Sequence, residues 1–200
     1  MKKCYIIFFG LIITFNTYAT QFIDGKHYIT LSKPILNQPQ VVEFFSFSCQ
    51  YCYKFENQFR IHQLPKNIKL VKYHIDFIKK GSILTHAWAI AIALGAENKL
   101  IKPIFSSVQN MKNLVNKKIL KDIFIKKLNI SSEEYEKLWT SFSVKLLIEK
   151  QIKAAIDFNV STIPAAFVNG KYMIKIDNLD IESQDATINY FDIINFLSKK

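Results

Sequence analysis

Arginine is nearly missing from this 200-residue chain, glycine and proline occur five times each, and cysteine only three times. No Pro/Ser/Gly tract and no low-complexity run is present, which excludes a long disordered linker. No segment repeats at a period of about twenty to fifty residues, which excludes solenoids and propellers. No block of five or six basic residues occurs, and no RNP-like or helix-turn-helix pattern accompanies the formal charge of +11. That charge rests on 26 lysines and the single Arg60, spread along the chain. It reads as a solvated lysine-rich surface rather than a nucleic-acid site, and at low salt it favours acidic partners. Histidine is limited to His27, His62, His74 and His86, no two of them three to five apart. What the chain does have is apolar bulk. Half of its residues are hydrophobic, enough to bury a core as one domain or as a domain with an insert.

The first nineteen residues read as a secretory signal peptide. Met1, Lys2 and Lys3 give a positive start, "CYIIFFGLIITF" (4–15) an apolar centre, and "TYA" (17–19) small residues at the −3 and −1 positions. Cleavage is expected between Ala19 and Thr20. An uncleaved membrane anchor is the alternative, but an apolar stretch of about twelve residues falls short of the ~20 that span a bilayer. No other segment reaches spanning length, so the mature protein is expected to be exported and soluble. Cys4 would leave with the signal. Cys49 and Cys52 remain, in a compartment where disulfides persist.

Hydrophobic periodicity places strands at "HYITL" (27–31), "QVVEFFSF" (40–47) and "IKLVKYHIDF" (68–77). A helix is expected from Cys49 to about Leu64, where Cys52, Phe55 and Phe59 recur at helical spacing and Pro65 ends the run. Strand, strand, helix, strand fits βαβ construction. The middle is helical: "THAWAIAIALG" closed by Gly95, then "KPIFSSVQNM" and "KKILKDIFIKKL", then a helix opened by a Ser131/Glu134 capping box, then "VKLLIEKQIKAAIDF" (144–158). A hairpin about Asn169-Gly170 and a terminal helix over 186–200 follow. The expectation is an α/β domain formed by 20–80 and 151–200, interrupted by an all-helical insert over 81–150. Pro164 stands at the head of the "AAFV" strand, a place open to proline only at an edge, a strand start or a cis bond.

Two cysteines three apart could be a staple, a metal clip or a redox pair. As a staple the pair is poor, because so small a loop removes little entropy from the unfolded chain. A structural zinc site wants four ligands, and neither a second cysteine pair nor closely spaced histidines are present. The four histidines read better as surface or satisfied core residues. The redox reading explains more. Cys49 lies where a strand hands over to a helix, near free backbone N–H groups and the positive end of the helix dipole, and both favour a thiolate. The thiolate is the species that attacks disulfides. Cys52 falls on the same helical face one turn deeper.

Here "VEFFSFSCQYCYKFE", "VKYHIDF", "AWAIAIALG" and "IPAAFVNGKY" resemble the DsbA family of periplasmic thiol:disulfide oxidoreductases, over essentially the whole chain from the signal onward. The resemblance implies a thioredoxin fold with an inserted helical subdomain, and no cofactor or metal. It implies an enzyme that introduces disulfides into newly exported polypeptides in the periplasm, reoxidised by a DsbB-type partner in the inner membrane, and working as a monomer. By the same resemblance Cys49 is the nucleophile and Cys52 its buried partner in a Cys49–Cys52 redox disulfide. Ile163 and a cis Pro164 face them, with the backbone of Ile163 pairing an extended substrate segment. Glu43 and Lys72 are a buried acid and base beneath the cysteines. A carboxylate among hydrophobic strand neighbours is costly unless partnered; the competing reading is a strand-end glutamate that reaches water.

One departure stands out. The family's best-known dipeptide between the cysteines is Pro-His, and here it is Gln50-Tyr51. Tyr51, neutral near pH 7, offers at most a hydroxyl hydrogen bond to the sulfur. Losing a histidine's help is expected to weaken the oxidant by ~1–2 kcal/mol, or ~20–45 mV. Two other functions compete: a periplasmic reductase or isomerase on the same fold, though no dimerisation module is visible, and a redox-inactive peptide-binding chaperone.

Overall fold

The structure, a computed structural model, describes residues 22–58, 64–78, 81–111, 114–179 and 184–200. The signal over 1–19 with Cys4, and Phe59, Arg60 and His62, lie outside the described residues.

Five strands form one mixed sheet in the order β1-β5-β4-β2-β3. They are β1 (Tyr28–Thr30), β2 (Val41–Phe45), β3 (Leu70–His74), β4 (Ala165–Val168) and β5 (Tyr172–Ile174). The unbroken run VVEFF is β2, and all five of its residues are buried, as a strand covered on both faces requires. Helix α1 (Gln50–Gln58) carries the chain over to β3, which pairs parallel with β2 in the register Val41↔Leu70 through Phe45↔His74. The expected βαβ unit is therefore present. On the other side β4 runs antiparallel to β2, and β5 antiparallel to β4.

Alternation along β2 sends Val41 into a core with Phe55 of α1 and Tyr190 and Ile194 of α7 (Gln184–Ser198). Val42 and Phe44 go to the opposite face, against Ala154 and Phe158. Between β3 and β4 lie α2 (Ile83–Ala93), α3 (Glu97–Met111), α4 (Lys117–Leu128), α5 (Ser132–Thr140) and α6 (Phe142–Asp157). They enclose a third core around Trp88, Phe105, Phe124 and Tyr135, to which Phe45, Phe47 and Cys52 of the sheet side also belong. The capping box opens α5 as its sequence predicts, with Ser131 accepting from the Glu134 N–H and Glu134 accepting from the Ser131 N–H. The boundary drawn at 150 falls inside α6, which runs unbroken through it. Val144 packs in the helical core and Ala154 against the sheet, so one helix belongs to both halves.

The β4–β5 turn is tight. Asn169 and Gly170 take φ of 54° and 61°, the sign a primed hairpin turn requires. Gly170 also accepts a hydrogen bond from Ile35 N–H at 2.8 Å, and a Cβ there would sit 2.1 Å from the Ile35 carbonyl oxygen. Gly170→Ala combines a left-handed φ with a backbone clash. It should lower stability by about 2–4 kcal/mol, read as a fall in the urea midpoint at unchanged slope.

Candidate active site

β2 ends at Phe45, a short turn follows, and Cys49 stands directly before the first residue of α1. Its carbonyl accepts the Tyr53 N–H at 3.1 Å, and its Sγ accepts the Cys52 N–H at 3.1 Å. That is the bonding of an N-cap residue, with sulfur where serine or aspartate usually places oxygen. Cys49 is half-buried and Cys52 fully buried, and both are free thiols. The Cys49 thiol is pulled down from 9.0 to about 7. The hydrogen bond from the Cys52 thiol contributes most, then the backbone N–H groups of Cys52 and Tyr51, against a burial that raises it. Cys52 is driven strongly the other way by its bond to Cys49, by burial and by the charges of Cys49 and Glu43. One sulfur is acidic and accessible while its neighbour keeps its proton.

Across the site the Ile163–Pro164 bond is cis, at the head of β4, and the Ile163 carbonyl oxygen lies 3.9 Å from Cys49 Sγ. The sheet order puts it there, because β4 pairs with the strand that leads to Cys49. Gln50 is exposed, and Tyr51 packs its ring against the core between the sheet and α7.

Beneath Cys52 lies a cluster of buried charge. The parallel register sets Glu43 opposite Lys72, and their side chains meet at 2.8 Å. Glu43, 3% exposed, does not reach water, which corrects the strand-end reading. A second carboxylate, Glu56, bonds the same ammonium at 2.5 Å, and Tyr190 donates to Glu43 at 3.0 Å. Burial works to deprotonate Lys72, but the two carboxylates more than offset it and raise its affinity for the proton. Burial pushes Glu56 above the ordinary carboxylate range, with Lys72 acting against it. Burial and the Glu43 charge together hold Tyr190 protonated. A cavity of about 370 Å³ borders Glu56 and Lys72. Sequence reasoning missed Glu56 and Tyr190. Glu56 stands four residues after Cys52 on the same helical face, a signal that was available; Tyr190 comes from a remote helix and had none.

The described histidines are satisfied: His27 accepts from the Ile23 N–H, His86 bonds the Trp139 carbonyl, and His74 is bonded within the core. Among the described residues no group of three or more His, Cys, Asp or Glu is placed to hold a metal.

This geometry has measurable consequences. Thiolate absorbance of the reduced protein should titrate with a midpoint near pH 7, and alkylation should occur at Cys49 alone. A depressed thiol contributes stability that is present above its free value and lost as pH falls through the folded one. Stability of the reduced form relative to the oxidised form should therefore rise between pH 7 and 9. In the cluster, Lys72→Met leaves two buried carboxylates without their cation and should cost about 3–5 kcal/mol in urea unfolding.

Related proteins share this architecture. The family model described as "DSBA-like thioredoxin domain" matches residues 40–185. The thiol:disulfide interchange protein DsbA of Escherichia coli K12 is 41% identical over 208 aligned residues, covering 100% of both chains. That of Yersinia pestis is 42% identical over 98% of each. Among solved structures, a variant of Proteus mirabilis DsbA in complex with the non-covalently bound peptide PWATCDS superposes with a TM-score of 0.81 at 35% identity. It covers 90% of this chain and 100% of that one. Klebsiella pneumoniae DsbA gives 0.79 at 30% identity, covering 91% and 100%. A match of this extent includes the strand that leads to the cysteines, the helix that Cys49 caps and the inserted helices alike, and on that ground the chain belongs to the DSBA-like thioredoxin-domain family.

Proposed function

We propose that this protein is a thiol:disulfide oxidoreductase that introduces disulfides into newly exported polypeptides through Cys49 and Cys52. The observation that carries the proposal is the contrast between the two sulfurs. Cys49, capping α1, is drawn down to about 7, and Cys52 is held protonated. In the oxidised form a substrate thiolate attacks Cys49 Sγ, the Cys49–Cys52 bond breaks, and the electron pair leaves on Cys52, which takes up a proton. A second substrate thiolate then attacks the substrate sulfur of the mixed disulfide and expels Cys49 as the thiolate its cap stabilises. Two electrons pass from substrate to enzyme, and the substrate gains one disulfide.

Glu43, Lys72 and Glu56 belong to the Cys52 half of this cycle. The Glu43 carboxylate adds to the bond from Cys49 and to burial in disfavouring a thiolate at Cys52, and Glu56, raised by burial, pairs with Lys72 beside the cavity. The backbone of Ile163, next to cis Pro164, pairs with an extended substrate segment and brings its cysteine to Cys49. Residues 1–19 act as a cleaved leader and the product works in the periplasm as a monomer, reoxidised by a DsbB-type membrane protein. Residues 20–80 and 151–200 form the thioredoxin-like domain with 81–150 as its insert, helix α6 crossing the boundary and packing on both. No helix of the described residues is long and apolar enough to cross a membrane.

Cys52→Ala should trap substrates and the reoxidising partner as mixed disulfides at Cys49, seen as adducts that collapse on reduction. Cys49→Ser should abolish both adducts and disulfide donation to a reduced, unfolded substrate. Intact donation by that variant would point to a chaperone, and faster scrambling of mispaired disulfides than donation would point to an isomerase. Replacing Gln50-Tyr51 by Pro-His should make the protein more oxidising by ~20–45 mV in equilibrium with glutathione.

A further inference from the structure

Helices α2, α3 and α6 brace the turn that presents Cys49. From α3, Gln109 Nε2 donates to the Phe47 carbonyl at 2.7 Å. From α2, the Thr85 hydroxyl meets His74 Nδ1 at 3.0 Å. From α6, Gln151 accepts the His74 backbone N–H at 2.9 Å and donates to the Thr85 carbonyl at 3.4 Å. The other ring nitrogen of His74 reaches the Ser46 hydroxyl at 3.5 Å, and the imidazole stacks on Phe47 with centroids 5.2 Å apart. Ser46 is the hub. Its hydroxyl accepts the Ser48 N–H at 3.3 Å, and its carbonyl accepts the Cys49 N–H at 3.1 Å.

These groups form a continuous chain from the Ser46 hydroxyl through the His74 ring to the Thr85 hydroxyl and on to the Ser82 hydroxyl at 3.3 Å. Burial disfavours the charged ring, pushing the imidazole down to about 3, and the neutral ring donates through one nitrogen and accepts at the other.

We propose that Ser46, His74 and Gln109 are positioning residues through which the helical insert sets the sulfur exchange at Cys49. None of them touches the reacting bond. Their effect is to fix residues 46–48, and so to keep the cap's N–H donors aimed at the sulfur before any charge develops there. A loose turn would average those donors over several geometries, make the thiolate less favourable, and shift the dithiol–disulfide balance toward the disulfide. The insert is then part of the redox machinery as well as a cover for the core. This rests on the oxidoreductase reading above.

The test compares Ser46→Ala and Gln109→Met with the parent, each checked for cooperative unfolding. Thiolate absorbance against pH and equilibrium with glutathione are the readouts. Both variants should titrate about half a unit or more higher, with the glutathione equilibrium moved roughly threefold or more toward the oxidised protein. Gln109 is only partly buried, so Gln109→Met can be read even if Ser46→Ala unfolds. Folded variants that titrate and equilibrate like the parent would overturn the inference while leaving the oxidoreductase reading intact. A parent whose thiol is not acidic would sink that reading instead.

Discussion

A sulfur in the N-cap position of α1 is the interaction on which the rest of the site depends. An N-cap must accept backbone N–H groups from the first turn of the helix, and Cys49 does so at 3.1 Å from Cys52 N–H. A neutral thiol does this weakly and a thiolate well, so the helix start favours the charged form. The requirement runs outward through the fold. β2 has to end at Phe45 so that the turn can deliver Cys49 to the helix mouth, and α1 has to return to a parallel β3. β4 has to lie beside β2 so that Ile163 faces the sulfur.

The same strand pair creates a problem and its solution. Glu43 sits one residue before Phe44 in a fully buried strand, where an isolated carboxylate would be severely penalised. The parallel register puts Lys72 directly across from it. Two carboxylates then share one ammonium, so the cluster carries an excess of negative charge when both are ionised. Replacing such a cluster by apolar residues is often neutral or stabilising, so its presence is poorly explained by stability alone. Its Glu43 charge also adds, after the bond to Cys49 and burial, to what disfavours a thiolate at Cys52.

Much of this was legible because it is local. The VVEFF run, the Asn169-Gly170 turn, the Ser131/Glu134 box and the position of Cys49 before a helical pattern each state their geometry within a few residues. Glu43 and Lys72 were found through resemblance, and the register then explained them. What was illegible depends on packing between distant segments. Tyr190 reaches Glu43 across 147 positions, and nothing in either neighbourhood announces the other. His74 looked like an ordinary core histidine, and its bonds to Thr85 and the Gln151 side chain exist only once α2 and α6 are packed against the sheet. Helix α6 was divided between two domains because its apolar spacing shows that it buries a face, not that the face meets one core at Val144 and another at Ala154.

The direction of the chemistry follows from comparing the two redox forms. A disulfide between Cys49 and Cys52 carries no charge, so it gains little from the N–H donors at the helix mouth. It also closes so short a loop that it restricts the unfolded chain only slightly. Reduction loses that small constraint and gains a capped thiolate. On the proposed function, the protein holds its disulfide weakly for the same reason that it holds its thiolate well, and a substrate whose own disulfide spans a longer loop is the better place for the bond. The helix terminus then drives disulfide transfer from the enzyme to its substrate.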